Sequence, residues 1–108
     1  MRQSLLPAKN PNARAGDLFV VAAPGHTPHH CAVILRRAGM TFLFTGDAVY
    51  NQGQLVRNEL AGSHTSVDLA LATMKAMRLF TKDGATIVLP SHDSDSERRL
   101  RANEIFPQ

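Results

Sequence analysis

One cysteine and no tryptophan occur in the 108 residues, and no apolar run is long enough to cross a bilayer. Each absence excludes something. A lone Cys31 cannot close an internal disulfide, and without a CxxC pattern it does not suggest a thiolate metal site. Standing where a strand should begin, it is expected to be a small buried apolar residue. The apolar stretches are broken by Gly, Arg or Asp far short of the roughly 20 residues that a membrane helix needs. Met1 to Pro7 carries one early Arg and two leucines, which is no secretory signal, so the chain is expected to be cytoplasmic with no membrane partner. Charge of one sign is also scarce, since the formal net charge is only +3. The basic excess lies in Arg36-Arg37 and in Arg98, Arg99 and Arg101, with no interleaved aromatics. That is the pattern of a solvated face, and it argues against a nucleic-acid partner.

What is present suits one soluble domain, with 44% hydrophobic residues and enough length to bury a core. Residues 1–16, with Pro7, Pro11 and Gly16 and no sustained periodicity, read as an irregular leader or linker. Leu18-Phe19-Val20-Val21-Ala22 is a continuous apolar run ended by Pro24-Gly25, the form of a strand buried on both faces. Cys31 to Leu35 is a second run, Ala38-Gly39 suits a hairpin turn, and Met40 to Thr45 returns, making an antiparallel meander. Asn51 to Ser63 is polar and reads as a long loop. Thr65 and Asp68 have capping-box spacing before a helix whose apolar face is Val67, Ala70, Leu71, Met74 and Met77. Gly84 stops it, Ala85 to Leu89 forms a fourth strand, and Ser94 with Glu97 opens a short helix through about Asn103. The expected fold is therefore α/β of the α+β type: meander, helix, strand, helix. Its own helices can cover one sheet face, and the other needs a partner.

Three polar loops follow apolar runs: Pro24-Gly25-His26-Thr27-Pro28-His29-His30, Thr45-Gly46-Asp47-Ala48 and Pro90-Ser91-His92-Asp93. Any single histidine here has an ordinary reading: His26 as a turn residue, His64 as a residue before a helix, His92 as a polar cap. The combination is more telling. His26, Asp47 and His92 each stand just beyond the C-terminal end of an expected strand, and imidazole with carboxylate is a ligand set suited to zinc or a related cation.

The order and spacing of these loops resemble the second half of the metallo-β-lactamase fold, an αββα sandwich with metals at one edge, over residues 17–108. The resemblance implies that His26 binds one zinc, that Asp47 bridges two, and that His92 binds the second. Within the superfamily the chain is most similar to the N-acyl-homoserine lactonases and related lactone- and ester-hydrolysing enzymes. There a tyrosine three residues after the bridging aspartate polarises the scissile carbonyl, a place held here by Tyr50. The alternative for Tyr50 is simple packing where a strand meets its loop. The resemblance also gives His30 a supporting role, holding a ligand by hydrogen bond, and leaves His29 outside the ligand set. The implied reaction is metal-assisted hydrolysis of a small-molecule lactone, ester or thioester.

The chain departs from the pattern in one respect. The complete family carries an HxHxDH signature in its first half, supplying four further ligands, and residues 1–23 contain no histidine. Three ligands are too few for a two-metal site, so the chain by itself is expected to be a poor catalyst. It is then either part of a longer protein, completed by an N-terminal half, or a half-length protein that pairs as a homodimer through its open sheet face. The other function class is a non-catalytic remnant or interaction module of the same fold.

Overall fold

A computed structural model describes residues 17–60 and 64–107, so the expected leader lies outside the described residues. The elements are β1 (Leu18–Ala22), β2 (Cys31–Arg37), β3 (Met40–Gly46), α1 (Gln52–Arg57), α2 (Val67–Phe80), β4 (Thr86–Pro90) and α3 (Ser96–Ala102). The strands form one sheet in the order β1-β2-β3-β4. The first two pairings are antiparallel and β4 lies parallel to β3. Two reversals followed by a parallel crossover make β1, β3 and β4 run the same way. Their C-terminal ends therefore share one edge of the sheet.

Strand alternation divides the sheet into two unlike faces. Phe19, Ile34, Leu43 and Val88 are in register across the inner face, and all four are buried in the core. Leu55 of α1 and Met74, Met77 and Phe80 of α2 close over them. The outer face carries two further apolar rows, Leu18-Leu35-Phe42-Ile87 and Val20-Val33-Phe44-Leu89. Here Val20 is 55% and Phe44 39% exposed. β1 is thus buried on one face only, contrary to the reading of its apolar run. A continuous run conceals which residues face inward, because alternation shows in a sequence only when the outward residues are polar. Cys31 is likewise exposed rather than buried, since it begins β2 on the outer face.

The segment read as a loop contains α1. Asn51 caps it by accepting from the Gln54 N–H, and Asn58 ends it in the left-handed conformation with φ of 58°. Of its six residues only Leu55 is buried, and Val56 and Arg57 are exposed, too short a repeat to reveal an amphipathic period. At α2 the cap is Ser66 rather than Thr65; Ser66 Oγ accepts from Leu69 N–H, while Thr65 donates to the Gly25 carbonyl. The buried stripe is Thr73, Met74, Met77 and Phe80, with Val67 and Leu71 exposed. α3 starts later than the Ser94–Glu97 spacing implied, with Asp95 at its cap position, and Asn103 ends it in the left-handed conformation.

The free edge of β4 is covered by the chain that follows it. Phe106 N–H donates to the Thr86 carbonyl at 2.7 Å, and the Arg99 guanidinium donates to the Val88 carbonyl at 2.9 Å. At the β2–β3 hairpin, Ala38 and Gly39 both have positive φ, 51° and 77°. A two-residue turn of this kind matches the strand twist, but Ala38 pays a steric penalty there of roughly 1–2 kcal/mol. Replacing Ala38 with Asn is expected to raise the unfolding free energy by about 1 kcal/mol in urea titrations. An unchanged or lowered midpoint would mean the turn holds no such strain.

Candidate functional site

At the shared strand edge the side chains of His26, Asp47 and His92 meet. His26 Nε2 lies 3.4 Å from Asp47 Oδ2, and His92 Nε2 lies 3.1 Å from Asp47 Oδ1. Each imidazole therefore addresses a different oxygen of one carboxylate. Among the described residues no group of three or more His, Cys, Asp or Glu side chains is arranged to hold a metal ion. The donors form two pairs that share Asp47. Tyr50 stands beside both imidazoles, its ring edge-on to His92 at 4.7 Å between centroids and 6.4 Å from His26.

The loops are held by different devices. Gly25 has φ of 138°, and a Cβ there would come within 2.5 Å of the Ala70 backbone, so α2 packs directly on the loop. Thr65 and Ser66 donate their backbone N–H groups to the Gly25 carbonyl, and Thr73 Oγ1 donates to the Pro24 carbonyl at 2.6 Å. His26 is thus presented from a loop pinned to the start of a helix.

Asp47 is fixed by His30. Its backbone N–H donates to His30 Nε2 at 2.9 Å, while His30 Nδ1 lies 3.0 Å from the Ala23 carbonyl. A carbonyl only accepts and an amide N–H only donates, so His30 is the neutral imidazole with its proton on Nδ1. Both ring nitrogens are occupied, which leaves His30 supporting the loop rather than binding a ligand. His29 is exposed beside it. Gly46 makes the approach possible: its φ is 59°, and a Cβ would fall 2.7 Å from His30 Nε2.

Asp93 and Arg99 hold the His92 loop. Arg99, 3% exposed at its side chain, donates to Asp93 at 2.9 Å and also to Ser96 Oγ. Asp93 further accepts from the backbone N–H groups of Gln52 and Asp95, so it ties α1 to the start of α3. Burial pushes the Asp93 carboxyl upward, but these two N–H groups and Arg99 together hold it below the ordinary value. The Asp47 carboxyl is also lowered, first by the hydrogen bond from Ser91 against the opposing effect of burial, then by His26 and His92. It is an anion at neutral pH.

The sequence reading placed His26, Asp47, His92 and Tyr50 at this edge, and the structure brings them together. It missed Ser91, which donates to Asp47 Oδ1, and the Asp93–Arg99 pair. The His-Asp adjacency was the one hint of the latter. A metallo-beta-lactamase superfamily model matches residues 12–92. The chain belongs to the metallo-beta-lactamase superfamily.

N-acyl homoserine lactonase AiiA of Bacillus thuringiensis subsp. kurstaki is 27% identical over 115 aligned positions, covering all of this chain and 44% of that protein. The chain therefore spans less than half the length of the curated relatives it matches. Among solved structures, an N-acyl homoserine lactone hydrolase with N-hexanoyl-L-homoserine at its catalytic metal centre superposes with a TM-score of 0.67 at 22% identity. That alignment covers 85% of this chain and 36% of the other. AidC, a dizinc quorum-quenching lactonase, gives a TM-score of 0.62 at 20% identity, covering 78% of this chain and 29% of that one. These likenesses establish the superfamily fold, of which the four-stranded sheet and its helices are a part.

Two substitutions test the supports. Gly46→Ala is expected to cost about 1–3 kcal/mol and to remove hydrogen-exchange protection from the Asp47 amide, since His30 must move away. Retained protection would refute the packing described. Arg99→Leu leaves Asp93 buried without its cation and is expected to cost about 3–5 kcal/mol at pH 7. The folded-state value of Asp93 is depressed, so its contribution is complete above the unfolded value of about 3.9 and is lost as pH falls through the folded value. The cost of Arg99→Leu in urea titrations should accordingly shrink toward pH 2, and a pH-independent cost would contradict this linkage.

Proposed function

We propose that this chain supplies the C-terminal half of a zinc-dependent hydrolase centre that cleaves a lactone, ester or thioester, and that it is inactive without the remaining half. The observation that carries this reading is the division of Asp47, one oxygen toward His26 and the other toward His92. That is what a carboxylate shared between two cations requires. The chemistry of the donors fits zinc: two imidazoles and a carboxylate whose lowered pKa keeps it anionic at neutral pH. Three donors do not complete two coordination shells, in keeping with a chain that spans 44% of its lactonase relatives.

His26 and Asp47 Oδ2 would hold one cation, and His92 and Asp47 Oδ1 the other. When bound, such cations lower the pKa of water and polarise a carbonyl, the two needs of hydrolysis at neutral pH. Tyr50, beside both imidazoles, would donate a hydrogen bond from its hydroxyl to the scissile carbonyl oxygen, and the Asp47 carboxylate would take up the proton released by the attacking water and pass it to the leaving-group oxygen.

The outer apolar rows supply the docking face for the rest of the sandwich, whether an N-terminal half or a second copy in a homodimer. A small-molecule substrate suits this site better than nucleic acid, because Arg98 is tied to Asp95 and Glu104 and Arg101 to Glu97. The exposed outer face also favours a second reading, a non-catalytic module of the same fold that docks through it.

Zinc binding and lactone opening separate the two readings. The chain is expected to take up zinc, Asp47→Asn to lose it, and His29→Ala to retain it, as read by isothermal titration and elemental analysis. Opening of an N-acyl homoserine lactone, followed by acid release, should be absent for the chain alone and should appear on mixing with the N-terminal half of a lactonase relative. Zinc uptake indifferent to Asp47→Asn, with no activity in the mixture, would leave only the docking module. A monomer by light scattering would exclude the homodimer.

A further inference from the structure

We propose that Ser91 is a positioning residue for Asp47, fixing the carboxylate so that its two oxygens stay divided between His26 and His92. This rests on the reading of Asp47 as a shared ligand. Ser91 is the first residue after β4, whose last residue, Pro90, is in register with Gly46. Its backbone N–H donates to the Gly46 carbonyl at 3.3 Å and its hydroxyl donates to Asp47 Oδ1. Both bonds cross from the end of β4 to the end of β3, so Ser91 ties the orientation of the Asp47 side chain to the parallel strand pair.

Neither imidazole can do this as well. His92 is 61% exposed at its side chain and His26 approaches only to 3.4 Å. A carboxylate turns readily about its last torsion, which exchanges the two oxygens. A donor fixed on one side makes the oxygens inequivalent and selects one arrangement. The hydroxyl does so without bringing a charge that would repel a cation. A carboxylate has about four lone-pair sites, so the Ser91 bond leaves acceptor capacity on both oxygens. The Pro-Ser-His-Asp segment then has three separate duties: Ser91 orients the carboxylate, His92 contributes a donor, and Asp93 anchors the loop through Arg99.

The test is zinc affinity of the full chain by competition with a chromophoric chelator, alongside unfolding free energy in urea without zinc and the visible spectrum of the cobalt-substituted protein. Ser91→Ala is expected to weaken zinc binding roughly tenfold and to alter the cobalt spectrum, with unfolding barely changed because the residue is exposed. Ser91→Thr, which keeps the hydroxyl, should restore the affinity. If Asp47→Asn abolishes binding while Ser91→Ala binds as tightly as the parent chain, the positioning role is wrong and the ligand reading stands. If the parent chain takes up no zinc, or Asp47→Asn binds as well as it does, the ligand reading fails and the proposal fails with it. Should Ser91→Ala lose affinity only in proportion to lost folding stability, the role is structural and the proposal is overturned.

Discussion

The parallel pairing of β4 on β3 governs the rest of this molecule. The meander alone would bring only the ends of β1 and β3 to one edge of the sheet. Had β4 joined β3 antiparallel, His92 would lie at the opposite edge, a strand length away. A parallel strand needs a crossover, and α1 and α2 provide it while covering the inner face. The same connection therefore closes the core and carries the third polar loop to the site. α2 also supplies the surface on which the His26 loop is packed.

Around that edge, hydrogen-bonded supports lie beneath the candidate donors. His30 holds two main chains together through both ring nitrogens, and Asp93 accepts from three separate groups. These bonds are partly shielded from water, where an unpaired polar group is costly, so each support is specified by what its loss would leave behind. His26, Asp47 and His92 themselves remain accessible. Rigid supports beneath accessible donors suit a site that must meet something from outside without rebuilding its loops.

The two faces of the sheet differ in how they are covered. The inner face is closed by its own helices, and the outer one presents apolar rows with Val20 and Phe44 open to solvent. Leu100 of α3 borders this surface beside Phe44 and Leu89, forming a shallow apolar depression. A sandwich buries such a face against a second sheet, and the superfamily relatives are more than twice as long as the matched region.

Much of this was legible in the residues. The apolar runs gave the strands, glycine and proline gave the turns, and the polar loops after β1, β3 and β4 marked the site, because each of these is a local property of a few neighbouring residues. The short helix α1 was not legible: it has six residues, buries only Leu55, and is capped by asparagines that serve equally well in loops. Nor was the burial of β1, because an unbroken apolar run hides its alternation. Ser91, Asp93 and Arg99 acquire their roles from partners on other elements, as Ser91 does from Asp47, 44 residues away. Sequence by itself determined which side chains stand at strand ends and what chemistry they carry. Only the tertiary structure decided that each imidazole faces its own oxygen of Asp47 and that Ser91 anchors the carboxylate. Strand direction and cross-strand hydrogen bonds are made between distant segments, and no local pattern encodes them.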